Sequence, residues 1–116
     1  MEELARNLEW DYDVSKINIP ILLLSSTGNV DENLVIDLEG LQSIYNHIPD
    51  SVTKVMARRN DCDHGSMLVY ADGYVTAWFM WQLQNDEEAG KAFIGNNAEL
   101  KSNLLYQNQE LNIPPE

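Results

Sequence analysis

Apolar and polar positions divide the chain into two strand-like runs, each followed by helical segments. The first run, Ile17 to Ser25, reads Ile-Asn-Ile-Pro-Ile-Leu-Leu-Leu-Ser and closes on Ser26, Thr27, Gly28 and Asn29. A nearly continuous apolar run suits a strand buried on both faces of a parallel sheet better than a half-exposed antiparallel one. Pro20 lacks a backbone donor and belongs near the start of that strand. After Val30, Asp31 and Glu32, the positions Leu34, Leu38, Leu41, Ile44 and Tyr45 follow helical spacing. They predict a helix from about Leu34 to His47, stopped by Pro49 and Asp50.

A second strand lies within Ser51 to Arg59 and ends in the polar loop Asn60-Asp61-Cys62-Asp63-His64-Gly65. From Ser66 to about Gln84 the chain is apolar nearly all round, which predicts a long helix buried on several sides. Gly73 within it costs about 1 kcal/mol against Ala and marks a point of close packing. A shorter helix from about Asp86 to Phe93 ends at Gly95, and Asn96 or Asn97 caps a last helix through Leu105. The tail, residues 107–116 with Pro114 and Pro115, reads as frayed.

This order predicts an α/β fold class: a parallel βα-βα segment with a right-handed crossover and long C-terminal helices. Two strands are too few for a stable parallel sheet, and their outer edges would present unpaired backbone groups. Residues 1–116 therefore read as a single partial domain, completed by another copy of the chain or by upstream strands.

Composition narrows the function classes. With 44% hydrophobic and 22% charged residues, the 116-residue chain fits one globular domain. Nineteen acidic against seven basic side chains give a net charge of −12, which argues against nucleic acid and anionic lipid partners. No run approaches the roughly 20 apolar residues of a membrane span. The opening Met-Glu-Glu-Leu-Ala-Arg has no signal-peptide pattern. Cys62 is the one cysteine, and its count leaves cytoplasmic and secreted locations both open.

Candidate chemistry centres on Asp31 and His64. Each lies just beyond a predicted strand, so a parallel pair about 4.8 Å apart brings both to one C-terminal edge. A carboxylate on one imidazole nitrogen makes the other a general base. No Gly-x-Ser-x-Gly nucleophile motif is present.

The stretch Ile-Pro-Ile-Leu-Leu-Leu-Ser-Ser-Thr-Gly-Asn-Val-Asp, then a helix, a strand, and Asp-His-Gly-Ser-Met-Leu opening a long helix, resembles the C-terminal third of an α/β-hydrolase. The continuation from Ala71 to Gln84, with Asp-Glu-Glu-Ala and Lys-Ala-Phe after it, looks like bacterial lipase- or esterase-like members of that superfamily. The likeness runs from about Asp13 to Asn108, in the superfamily's order of acid before histidine. It implies that Asp31, after the turn glycine Gly28, matches the triad acid and His64 the triad base. It also implies a small ester-like substrate, no cofactor and no metal. The preceding strands, nucleophile elbow and oxyanion-hole loop are missing, so this chain by itself is expected to be catalytically silent.

Other readings stand beside this one. Asp31 is also placed to cap the following helix, with Glu32 and Asp37 as competing carboxylates, and His64 is also an ordinary loop histidine beside Asp63. His47 suits a surface position at a helix C-terminus. Asp61, Cys62, Asp63 and His64 match no zinc spacing, and Cys62 reads as a small loop residue. Trp78, Phe79 and Trp81 suit core packing better than a ligand platform. The alternative function is a non-catalytic module that self-associates through an open strand edge.

Overall fold

The computed structural model of the chain describes residues 13–114. Its sheet has three strands in the order β1, Ile21–Ser26; β2, Lys54–Arg59; and β3, Tyr106–Asn112. β1 and β2 run parallel, in register from Ile21 opposite Lys54 to Ser26 opposite Arg59. Pro20 stands immediately before β1, outside the ladder. Between the two strands lie one π-helical turn, Asp31–Val35, and helix α1, Leu38–His47. The predicted helix thus starts late, because Ile36 is extended and the Asp37 side chain caps α1 by accepting the Gly40 N–H at 2.8 Å.

β3 overturns the expectation of a frayed tail at 107–116 as far as residue 112, and makes the sheet three-stranded. It pairs antiparallel with β2, from Tyr106 opposite Arg59 to Asn112 opposite Lys54. Its polar sequence conceals a strand because β3 lies at the edge of the sheet among the described residues and, after the buried Tyr106, its residues stay exposed or half-buried. Asn108 and Gln109 together face Ala57, and Asn108 adopts the left-handed conformation (φ +57°) at this bulge.

β2 is therefore the central strand, with Val55, Met56 and Ala57 all 0% exposed. Its alternation divides the core. Val55 and Ala57 pack with Trp78, Phe93, Leu100 and Tyr106, while Met56 packs with Leu41 and Tyr45. Leu22 and Leu24 of β1 join the first group and Leu23 the second. This two-sided use explains the unbroken apolar run in β1. At the start of β2 the buried Lys54 Nζ donates to the carbonyls of Tyr45 (2.9 Å) and Ile48 (2.7 Å), closing the C-terminal end of α1.

The helical half departs further from expectation. The predicted Ser66–Gln84 helix is broken at Ala71 into α2, Met67–Tyr70, and α3, Asp72–Gln84. α3 buries Trp78, whereas Leu68, Val69, Tyr70, Phe79 and Leu83 are exposed among the described residues, so the segment is covered on one side. Gly73 has no atom within 4 Å of an added Cβ and marks no close packing. The close approach is at Gly90, where a Cβ would meet the Trp81 ring at 2.9 Å. Trp81 stacks on Phe93 (5.7 Å between centroids, 17°) and Trp78 meets Phe93 edge-on (5.2 Å, 87°). Such pairs contribute about 0.5–1.5 kcal/mol each beyond burial.

Helix α4, Glu87–Gly90, is capped by the Asp86 side chain on the Ala89 N–H at 3.1 Å and is shorter than the predicted 86–93. The last helix, α5, Glu99–Ser102, begins after Ala98 and ends before Leu105. Neither Asn96 nor Asn97 caps it, because the Ala98 N–H bonds the Gly95 carbonyl (3.2 Å) and keeps both asparagines in the preceding turn. No helix of the described residues is long and apolar enough to cross a membrane.

Candidate active site

The two loops that leave the C-terminal ends of β1 and β2 meet. The Thr27 N–H carries the ladder one step past β1 by bonding the Arg59 carbonyl at 2.9 Å. The Thr27 hydroxyl then accepts the N–H of Asp61 at 2.9 Å. Asp61 takes a left-handed turn (φ +43°) that an aspartate tolerates and sends the chain toward His64. On the other side, Gly28 leads into the π-helical turn, where the Ile36 N–H reaches the Asp31 carbonyl at 2.7 Å. Single π turns of this kind are frequent at functional sites.

Asp31 and His64 come together at this junction. The Asp31 carboxylate is 2% exposed; its Oδ2 accepts the Ser26 N–H at 2.6 Å, and its Oδ1 contacts His64 Nδ1. The His64 side chain is 57% exposed, and among the described residues Asp31 is its ring's hydrogen-bond partner. A buried carboxylate on Nδ1 orients the imidazole, selects the tautomer with its proton on Nδ1, and stabilises the imidazolium when Nε2 takes a proton. The pair can therefore move a proton at Nε2.

The competing residues have other occupations. Glu32 pairs with Arg58, and Asp37 caps α1. The Asp31 side chain is spent on Ser26 and His64, so it does not serve as the cap of α1. His47 closes α1 with its Nδ1 on the Ser43 carbonyl at 2.6 Å. Cys62 is buried with its Sγ 3.3 Å from Met67 Sδ. Among the described residues no three His, Cys, Asp or Glu side chains form a group able to hold a metal ion.

Three supports of the pair carry no motif in the sequence. Ser26 bonds both loops through its N–H and its hydroxyl. Arg58, buried in β2, holds the Glu32 carboxylate and the Asn108 Oδ1 (3.3 Å), tying the π-helical turn to the β3 bulge. Arg59 lies over the Tyr70 ring at 4.8 Å and the Tyr106 ring at 5.9 Å, bracing the start of the helical segment after His64. Burial raises the Tyr106 phenol above its usual range, opposed by the Arg59 charge. The signals available were the hydroxyl-rich Ser-Ser-Thr-Gly at the end of an apolar strand and the lone Arg-Arg pair.

Compared with known proteins, the chain matches no family model and no curated protein.

Proposed function

We propose that this chain supplies the acid and the histidine of a serine-hydrolase triad of the α/β-hydrolase type, acting on ester or related acyl bonds. The nucleophile comes from polypeptide outside residues 13–114. In the complete site a serine attacks the acyl carbon, His64 Nε2 takes its proton and returns it to the leaving group, and Asp31 holds the imidazole through Nδ1. Backbone amides outside these residues hold the oxyanion.

One observation carries this reading: a buried carboxylate after the first parallel strand meets the exposed imidazole after the second, at the edge where α/β sheets carry their sites. A second reading, a non-catalytic self-associating module, draws support from the exposed Phe79 and Leu83 of α3 and from the side of β1 that carries no strand among the described residues.

A fluorophosphonate probe separates the two. It is applied to this chain by itself and to the native product or assembly recovered through a tag on this chain. Labelling only in the native material, lost in the His64→Ala variant, supports the hydrolase. Labelling of this 116-residue chain by itself overturns the missing nucleophile. No labelling in either preparation overturns the hydrolase reading and leaves the self-associating module.

A further inference from the structure

We infer that Ser26 is the positioning residue of the Asp31–His64 pair, a clasp that holds the loop of the acid and the loop of the histidine in one register. The inference rests on the reading of the pair as a proton-transfer couple and names what sets its geometry.

Ser26 is the last residue of β1 and is fully buried. Its N–H donates to Asp31 Oδ2 at 2.6 Å. Its hydroxyl donates to the Cys62 carbonyl at 2.5 Å and accepts the Gly28 N–H at 2.9 Å. The direction of each bond is forced, since a carbonyl only accepts and a backbone N–H only donates. One oxygen thus joins the turn that leads to Asp31 with the backbone two residues before His64. The loops pass so closely that a Cβ on Gly28 would lie 2.3 Å from the Cys62 carbonyl oxygen. Glycine at 28 admits the approach, and the Ser26 hydroxyl fixes it.

The preceding residue supplies an internal contrast. Ser25 is also buried, yet its hydroxyl has no hydrogen-bond partner. The two adjacent buried serines point to opposite faces of β1 and differ in their bonding: Ser26 bridges the two loops, and the Ser25 hydroxyl bridges nothing. Removing each hydroxyl separates a positioning role from the general cost of altering the end of β1.

The test is the tautomer of His64 in the full chain, read from ring ¹⁵N shifts at a pH where the imidazole is neutral. Wild type and Ser25→Ala should hold the proton on Nδ1, and Asp31→Ala should lose that preference. Ser26→Ala should lose it too, although Asp31 and His64 are both present, and Ser26→Thr, which restores a hydroxyl, should recover it. The remote Tyr74→Phe, which removes hydroxyl bonds to Glu99 and Asn103, should leave the tautomer unchanged.

If Ser26→Ala does not fold, Gly28→Ala reads the same coupling by forcing the loops apart with the serine intact. A folded Ser26→Ala or Gly28→Ala chain with the wild-type tautomer overturns the clasp. If Asp31→Ala leaves the tautomer unchanged, the Asp31–His64 pair fails and takes the hydrolase reading with it. If only the Ser26 and Gly28 variants leave it unchanged, the clasp alone fails. In the hydrolytic assembly Ser26→Ala should lower kcat about tenfold with KM unchanged, the pattern of lost transition-state positioning.

Discussion

The carboxyl end of the sheet and the outer face of the helices are organised by opposite kinds of force. Where β1 and β2 end, small polar residues are joined by directed bonds: Ser26 to Asp31 and Cys62, Thr27 to Asp61, Asp31 to His64. On α2 and α3, large apolar side chains such as Leu68, Phe79 and Leu83 stand exposed among the described residues. Hydrogen bonds require a particular atom at a particular place, whereas apolar surface requires only to be covered. The sheet end thus has a defined geometry within residues 13–114, whereas Leu68, Phe79 and Leu83 present apolar surface, behind which Tyr74 bonds Glu99 and Asn103 and aromatic rings cluster around Phe93.

The largest effect that separates the two regions should be catalytic. On the proposed hydrolase reading, Asp31→Asn or His64→Ala is expected to lower ester hydrolysis by about 10⁴-fold, measured as kcat, because the imidazole loses its orientation or is gone. A substitution on the helical face such as Leu83→Ser should leave kcat within about twofold, because Leu83 lies on α3 and makes no contact with the Asp31–His64 pair. Equal losses from both would erase the contrast.

Next in size is a comparison of two glycines. Gly28→Ala drives a methyl into the Cys62 carbonyl at 2.3 Å and should destabilise the fold by about 1–3 kcal/mol, read from urea midpoints. Gly73→Ala in α3 meets nothing within 4 Å and should stabilise by roughly 0.5–1 kcal/mol. One substitution with opposite signs at the two places would show that the tip is full and the helical face open.

The opposite face of the sheet offers a pH test. Burial, followed by the charges of Glu110 and Asp50, pushes the Tyr45 phenol up from 10.0 to about 12. The folded chain holds this proton more firmly than the unfolded one, so the contribution is intact below pH 10 and is lost as pH rises toward about 12. Tyr45→Phe should flatten the fall in stability over that window. The smallest effect is expected on the exposed face, where Leu68→Ser should change stability by no more than about 0.5 kcal/mol while raising solubility.

Much of the sheet end was legible because its signals are local or ordered along the chain. Ile-Leu-Leu-Leu declared a strand that packs on both faces, although these four residues are half-buried rather than buried, and the βα-βα order placed Asp31 and His64 on one edge. β3 was illegible because Tyr-Gln-Asn-Gln-Glu-Leu-Asn has no apolar alternation, its pairing being supplied by β2. The apolar helix was legible as a helix but not as exposed, since periodicity names the face and not what lies across from it. Gly73 and Gly90 look alike in sequence; only the position of the Trp81 ring distinguishes them. The part played by Ser26 depends on the Cys62 carbonyl, a backbone atom 36 residues away that no side-chain pattern records.

The central place of β2 also bears on how the chain is made. Its parallel partner precedes it, but its antiparallel partner follows roughly 50 residues later, so that at about 5–20 residues per second β2 waits several seconds on the ribosome for β3. During that interval the rim of Lys54–Arg59 that β3 later covers has no partner from the described residues. Val55, Met56 and Ala57 are then a short apolar segment on a nascent chain, flanked by the like charges of Lys54, Arg58 and Arg59, which disfavour edge-to-edge pairing of two copies of this segment.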